Sequence, residues 1–203
     1  MKRVIFIFCL MLLCGCGTKH IAGYKNVLEK LMAMESYCTN AHITYINNKG
    51  SDEFDATYYA TKDGKYRMEL TAPEDYKDNV IMFDGKMVWS YNPAVEQKVS
   101  VDAPDKPQRY ELVLFSFLEN YVKSQNVTVQ SASLDESLCT VLETEIPGEN
   151  QFFATEKLCI NNETQSPQRL IIYDNEGNEK IKVDFTNFQY NCEIEPEKFT
   201  INK

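Results

Sequence analysis

The chain has 203 residues and a formal charge of −9 at neutral pH, with 12 Tyr and 11 Phe against only 8 Gly. So acidic a chain argues against nucleic acid and anionic lipid headgroups as partners, and its length suits one domain with a sizeable core. The aromatic-rich, glycine-poor composition points to a strand-rich fold.

Lys2 and Arg3 come first, followed by an apolar run over residues 4–13 and then Leu13-Cys14-Gly15-Cys16. A short basic segment, an apolar core of roughly ten residues and small residues at the cut describe a secretory signal peptide. The run is too short to span a bilayer, which takes about 20 apolar residues. Leu-Cys-Gly-Cys resembles a bacterial lipobox, which implies cleavage before Cys16 and a diacylglycerol thioether on that cysteine. The alternative is an ordinary secreted chain cut near Gly17. The expected organisation is a signal peptide over residues 1–15, a tether over 16–23 and one domain over 24–203.

Residues 24–36 read as an amphipathic helix, with Tyr24, Val27, Leu28, Leu31 and Met34 at three- and four-residue spacing. From Ala41 the period changes to two. Phe54, Ala56, Tyr58 and Ala60 alternate with polar partners up to Lys62-Asp63-Gly64-Lys65, a hairpin signal. Tyr66, Met68 and Leu70 continue the alternation. Strands over 79–83 and 86–91 flank Asp84-Gly85, with Met87, Trp89 and Tyr91 on one face, and Asn92-Pro93-Ala94 turns the chain into a strand over 96–101. Pro104 and Pro107 break the sheet before a second helix over 108–123, apolar on most sides and therefore buried on several. Strands return over 127–134, 137–145, 151–160, 168–173 and 180–188, and a short piece over 199–201 closes the chain. The economical architecture is α+β: one large antiparallel sheet, curled toward a barrel, with two main helices.

This order of elements, with Lys65-Tyr-Arg-Met-Glu-Leu-Thr-Ala-Pro73, Asn79-Val-Ile-Met-Phe-Asp-Gly85 and Trp89-Ser-Tyr-Asn-Pro93, resembles the LolA/LolB-like lipoprotein-carrier superfamily. Residues 170–177 and 183–188 resemble its late hairpin. The resemblance implies an incomplete antiparallel barrel lidded by helices. Within the superfamily, the size and lipobox are most similar to the GerS-type germination lipoproteins of clostridia. That likeness implies a spore-envelope protein without activity of its own, partnered with a CwlD-like N-acetylmuramoyl-L-alanine amidase of the cell wall. Tyr66, Met68, Met87, Trp89 and Tyr91 either line an acyl-chain cavity, as in the carriers, or pack as plain core.

Catalytic chemistry finds little support. His20 and His42 are the two histidines, and no Gly-x-Ser-x-Gly accompanies them. Asp52, Glu53 and Asp55 cluster beside a turn, and acidic runs are usually solvated. Glu143 and Glu145 pair on one strand without another sign of acid–base work. No metal or other cofactor is expected. Cys38, Cys139, Cys159 and Cys192 remain after the leader and the lipidated Cys16, an even count that permits disulfides. Counting outward from Glu149 sets Cys139 opposite Cys159 in one hairpin, within disulfide range. Cys38 and Cys192 are then left to pair, or to pack as small hydrophobes.

The expected function is that of a non-enzymatic, membrane-tethered protein on the extracytoplasmic face. It would bind and support a spore-cortex amidase through an open sheet edge, an edge that also suits a homodimer. The alternative is a carrier or sensor of lipid or lipoprotein acyl chains.

Overall fold

A computed structural model describes residues 19–103, 109–148 and 150–201. The leader and Cys16 lie outside these residues. Helix α1, Lys19–Met32, starts the described chain. It takes in residues 19–23, which the sequence reading assigns to a tether. No proline interrupts that stretch, and Gly23 costs a helix only about 1 kcal/mol.

The first meander runs β1 (Ser36–Asn47), β2 (Gly50–Thr61), β3 (Tyr66–Ala72), β4 (Val80–Phe83), β5 (Met87–Asn92) and β6 (Gln97–Asp102). A 3-10 turn, Tyr110–Leu112, leads into α2 (Leu114–Lys123). The second meander follows as β7 (Val127–Leu134), β8 (Ser137–Glu145), β9 (Thr155–Asn161), β10 (Pro167–Tyr173) and β11 (Glu179–Tyr190). All 11 strands form one sheet in the order β6-β5-β4-β3-β2-β1-β11-β10-β9-β8-β7. Every described pairing is antiparallel, and β1 against β11 joins the two meanders. β6 and β7 end the sheet without pairing to each other, so the barrel stays incomplete.

The inner face and both helices share one core. Leu31 of α1 and Met34 just after it, Phe117 and Leu114 from α2, and Tyr37, Ile43, Tyr58, Leu142, Leu158 and Ile172 from the strands are all essentially buried. Alternation explains this, since every second strand residue points inward. α2 has no side-chain cap of its own. The amide N–H of Leu114 instead donates to the Tyr37 hydroxyl at 3.0 Å, satisfying one of the donors a helix start leaves open. Tyr37 also stacks on Phe188, ring centroids 5.3 Å apart. The Tyr24 and Tyr121 hydroxyls meet at 2.9 Å between the helices, and Asn120 Nδ2 donates to the buried Glu156 carboxylate at 2.8 Å, fixing α2 on β9.

The cysteines correct one expectation. Cys38 and Cys192 form the disulfide, while Cys139 and Cys159 are buried free thiols. The loop between β8 and β9 sets Cys139 opposite Asn161 and Cys159 opposite Val141, so the two are offset along their strands rather than facing. The expected strand over 199–201 is also absent. A 3-10 turn, Pro196–Phe199, lies there instead, in a segment that the disulfide anchors to β1. This segment crosses the outer face. Arg67 Nη1 donates to the Lys198 and Thr200 carbonyls at 3.1 and 3.4 Å, and Lys98 Nζ donates to the Ile201 carbonyl at 2.8 Å.

Candidate docking site

The inner face at the β6 end of the sheet carries a cavity of about 370 Å³. Ile43, Phe54, Met68, Leu70 and Ile81 give it an apolar wall, while Ser90, Asn92, Gln97 and Arg109 add polar groups. Strand alternation places these side chains. Met68 faces Ile81 across β3 and β4, Ile81 faces Ser90, and Ser90 faces Val99 on the edge strand. Val99 and Val101 therefore point to the same side as the cavity, and they remain 47% and 59% exposed. Tyr76 closes one flank, edge-on to Phe54 at 5.5 Å.

Arg109 precedes the 3-10 turn in a left-handed conformation, φ 63°. Its guanidinium lies 4.9 Å over the Tyr45 ring, a cation–π contact. No carboxylate lies within ion-pair distance of it among the described residues. Burial pushes the Tyr45 phenol up to about 12, with Arg109 pulling it down and Glu111 pushing it up. Burial likewise raises the Glu111 carboxyl, against the pull of a backbone hydrogen bond and of Arg109. The Tyr58 hydroxyl is buried without a hydrogen-bond partner among the described residues. Together these features make an apolar pocket with one cation at its wall, beside an open strand edge.

The residues expected to line a cavity divide between the two faces. Tyr66 and Met68 lie on the inner side, and Met68 is part of the cavity wall. Met87 and Trp89 share a face as expected, but it is the outer one, since Trp89 stands opposite Met82 and Met82 opposite Arg67. Trp89 Nε1 donates to Asp84 Oδ2 at 2.7 Å, and Lys98 Nζ sits 4.7 Å over its ring. Tyr91 lies between the cavity and the groove beneath the C-terminal segment and borders both. Cys16 lies outside the described residues.

His42 is on the outer face, its side chain 42% exposed, with Nδ1 2.7 Å from Asp55 and Nε2 3.8 Å from Glu53. Glu143 pairs with Lys157 at 3.4 Å, and Glu145 accepts from Asn126 at 3.0 Å. No group of three or more His, Cys, Asp or Glu is placed to hold a metal ion among the described residues. No described helix is long and apolar enough to cross a membrane. Sequence reasoning missed Arg109 and the exposed valines of β6. A lone arginine after a proline-rich stretch, and a valine alternation shared with every other strand, give no distinguishing signal.

The family model for YdcC-like sporulation proteins matches residues 1–199. Sporulation protein YdcC of Bacillus subtilis is 22% identical over 202 residues, 97% of this chain and 58% of its own length. An outer-membrane lipoprotein carrier protein of Photorhabdus laumondii is 27% identical over 99 residues, 48% of this chain and 47% of the carrier. The chain thus spans about half the length of the curated relatives it matches, 58% of YdcC and 47% of the carrier. Among solved structures, the complex of the CwlD amidase with the GerS lipoprotein from Clostridioides difficile contains a similar chain. That match is 26% identical with a TM-score of 0.51, covering 86% of this chain and 97% of that one. The fold is LolA-like and resembles GerS, and by its near full-length match the chain belongs to the YdcC-like family of sporulation proteins.

Proposed function

We propose that this protein is a non-enzymatic envelope protein that binds a CwlD-like cell-wall amidase and supports its work on the spore cortex during germination. The observation that carries this reading is the likeness, over most of both chains, to GerS in its complex with an amidase. The lipobox at Cys16 supports a lipid anchor that holds the domain on the extracytoplasmic face of a membrane. In this role the chain offers a surface, and the amidase supplies the catalytic groups. The test is capture of the amidase by the tagged chain from sporulating cells, together with muropeptide analysis of cortex from cells lacking the chain. The expected result is a specific complex, and a cortex without amidase products when the chain is deleted. A normal cortex in the deletion strain would contradict the role.

A second reading, a carrier or sensor of acyl chains, is favoured by the apolar cavity behind Met68 and by the partial likeness to an outer-membrane lipoprotein carrier. Native mass spectrometry of gently purified protein tests it, through an added mass that matches a lipid.

A further inference from the structure

We propose that the partner docks on the β6 edge: an extended segment of the amidase adds to β6 as a further strand, sets an apolar side chain into the adjacent cavity and places a carboxylate on Arg109. The inference rests on the amidase-binding reading and names the face that carries it.

The backbone supplies the first argument. The Ala103 N–H donates to the Lys86 carbonyl at 3.2 Å, so this pair is a hydrogen-bonded one of the antiparallel ladder. Such pairs alternate with pairs whose amide groups point away from each other. Val101, Val99 and Gln97 therefore bond to β5. Lys98, Ser100 and Asp102, opposite Tyr91, Trp89 and Met87, turn their N–H and C=O groups outward from the sheet. An edge of this kind is a template for an incoming strand.

Side chains supply the second. Val99 and Val101 are exposed on the cavity side, and Gln97 of β6 is itself part of the cavity wall. A strand laid beside β6 sits one spacing away, about 4.8 Å. Its inward side chains would cover the two valines and reach the cavity mouth. The opposite edge differs. β7 also exposes two valines, Val127 and Val129, at 41% and 43%, but it gives no wall to the cavity that holds Arg109.

Charge supplies the third. Arg109 is the one cationic side chain in the cavity wall; it lies over a ring and makes no ion pair within 4 Å among the described residues, although its charge reaches the partly buried Glu111 carboxyl. A guanidinium presents five N–H donors in a fork that matches a carboxylate. An acidic side chain flanking the apolar anchor of the incoming strand fits it.

The test uses the full chain in mild detergent and the purified cell-wall amidase of the same organism, with affinity read by calorimetry. Ser100→Pro removes an outward N–H and places a ring on the edge without touching the β5–β6 bonds. It should weaken amidase binding roughly tenfold or more. Ser133→Pro, at the β7 edge, should leave affinity unchanged. Arg109→Gln should weaken binding about tenfold, through loss of a charge-assisted bond. The thermal midpoint of each variant is measured alongside, so that loss of fold is separated from loss of docking. A Ser100→Pro protein that folds and binds like wild type overturns the β6 assignment while leaving amidase binding intact. Loss of binding in Ser133→Pro alone moves the site to β7. A phospholipid or fatty acid retained in the cavity of the amidase-bound complex also overturns the proposal, and wild type that fails to bind removes both readings together.

Discussion

Replacing Cys38 and Cys192 together by serine removes the cross-link between β1 and the C-terminal segment. The bond joins residues 154 apart in sequence. In the chain-entropy model a closed loop of that length restricts the unfolded chain by about 5 kcal/mol. A domain of this size is stable by roughly 5–15 kcal/mol, so the cross-link is a large share of the total. The folded side loses as well. Without its anchor, the segment over the outer face is held by Arg67, Lys98 and the Lys198–Glu69 pair at 3.3 Å. The assay is urea unfolding followed by circular dichroism, with wild type kept oxidised. At a slope of about 2 kcal/mol/M, the midpoint should fall by about 2.5 M, and the slope should rise because the unlinked chain expands further. An unchanged midpoint and slope would refute the reasoning. So would peptide mapping that finds Cys38 joined to Cys139 or Cys159.

Tyr37→Phe keeps the ring in its stack but removes the acceptor for the Leu114 N–H, which costs about 1–3 kcal/mol in a buried site; chemical denaturation checks this, and a loss below measurement error would show that the helix start finds another partner. Burial acts to raise the Asp84 carboxyl, yet hydrogen bonds from the Met87 amide, the Trp89 indole and the Lys86 amide outweigh it and hold its pKa below the ordinary value. A depressed folded-state pKa stabilises above the unfolded value, near pH 4, and that contribution is lost as pH falls through the folded one. Wild type should therefore lose more stability than Asp84→Ala between pH 6 and pH 3 (urea midpoints compared), and equal losses would remove Asp84 from the account. Burial raises the Cys139 thiol and pushes Cys159 up to about 11, with Cys139 adding to the rise and Arg169 and Lys157 opposing it. At pH 8 neither should react with iodoacetamide in the native protein, and both should react after unfolding without reductant; rapid native labelling of Cys139 would show that its cover over β8 opens.

The elements were largely legible because alternation and turn residues are local. Val127–Leu134 and Ser137–Glu145 take the bounds that the residue pattern predicts, and Asp63-Gly64 turns the chain as expected, with Gly64 at φ +93°. What depended on distant parts of the chain was not legible. The shared face of Met87, Trp89 and Tyr91 could be read from spacing of two, but its side could not. Met82 is fully buried on the outer face, with the Arg67 guanidinium at 3.8 Å from its sulfur and the C-terminal segment hydrogen-bonded to the same arginine. That cover makes both faces of β4 apolar, which removes the contrast a sequence reading needs. The disulfide failed for a similar reason. Cys38 meets Cys192 because β1 pairs with β11, a contact between the two ends of the domain, while the Cys139–Cys159 count rested on an assumed turn centre that the β8–β9 loop shifts. Arg109 became a site residue only when the fold brought residues from β1 to β6 around it.

Direct calorimetric titration of the purified chain into its cell-wall amidase tests the central claim. The account predicts a saturable complex with a dissociation constant below roughly 10 µM and a gain in amidase activity on cortex peptidoglycan, with no turnover by the chain alone. Absence of a complex at that concentration, or hydrolysis of peptidoglycan by the chain without the amidase, would contradict it.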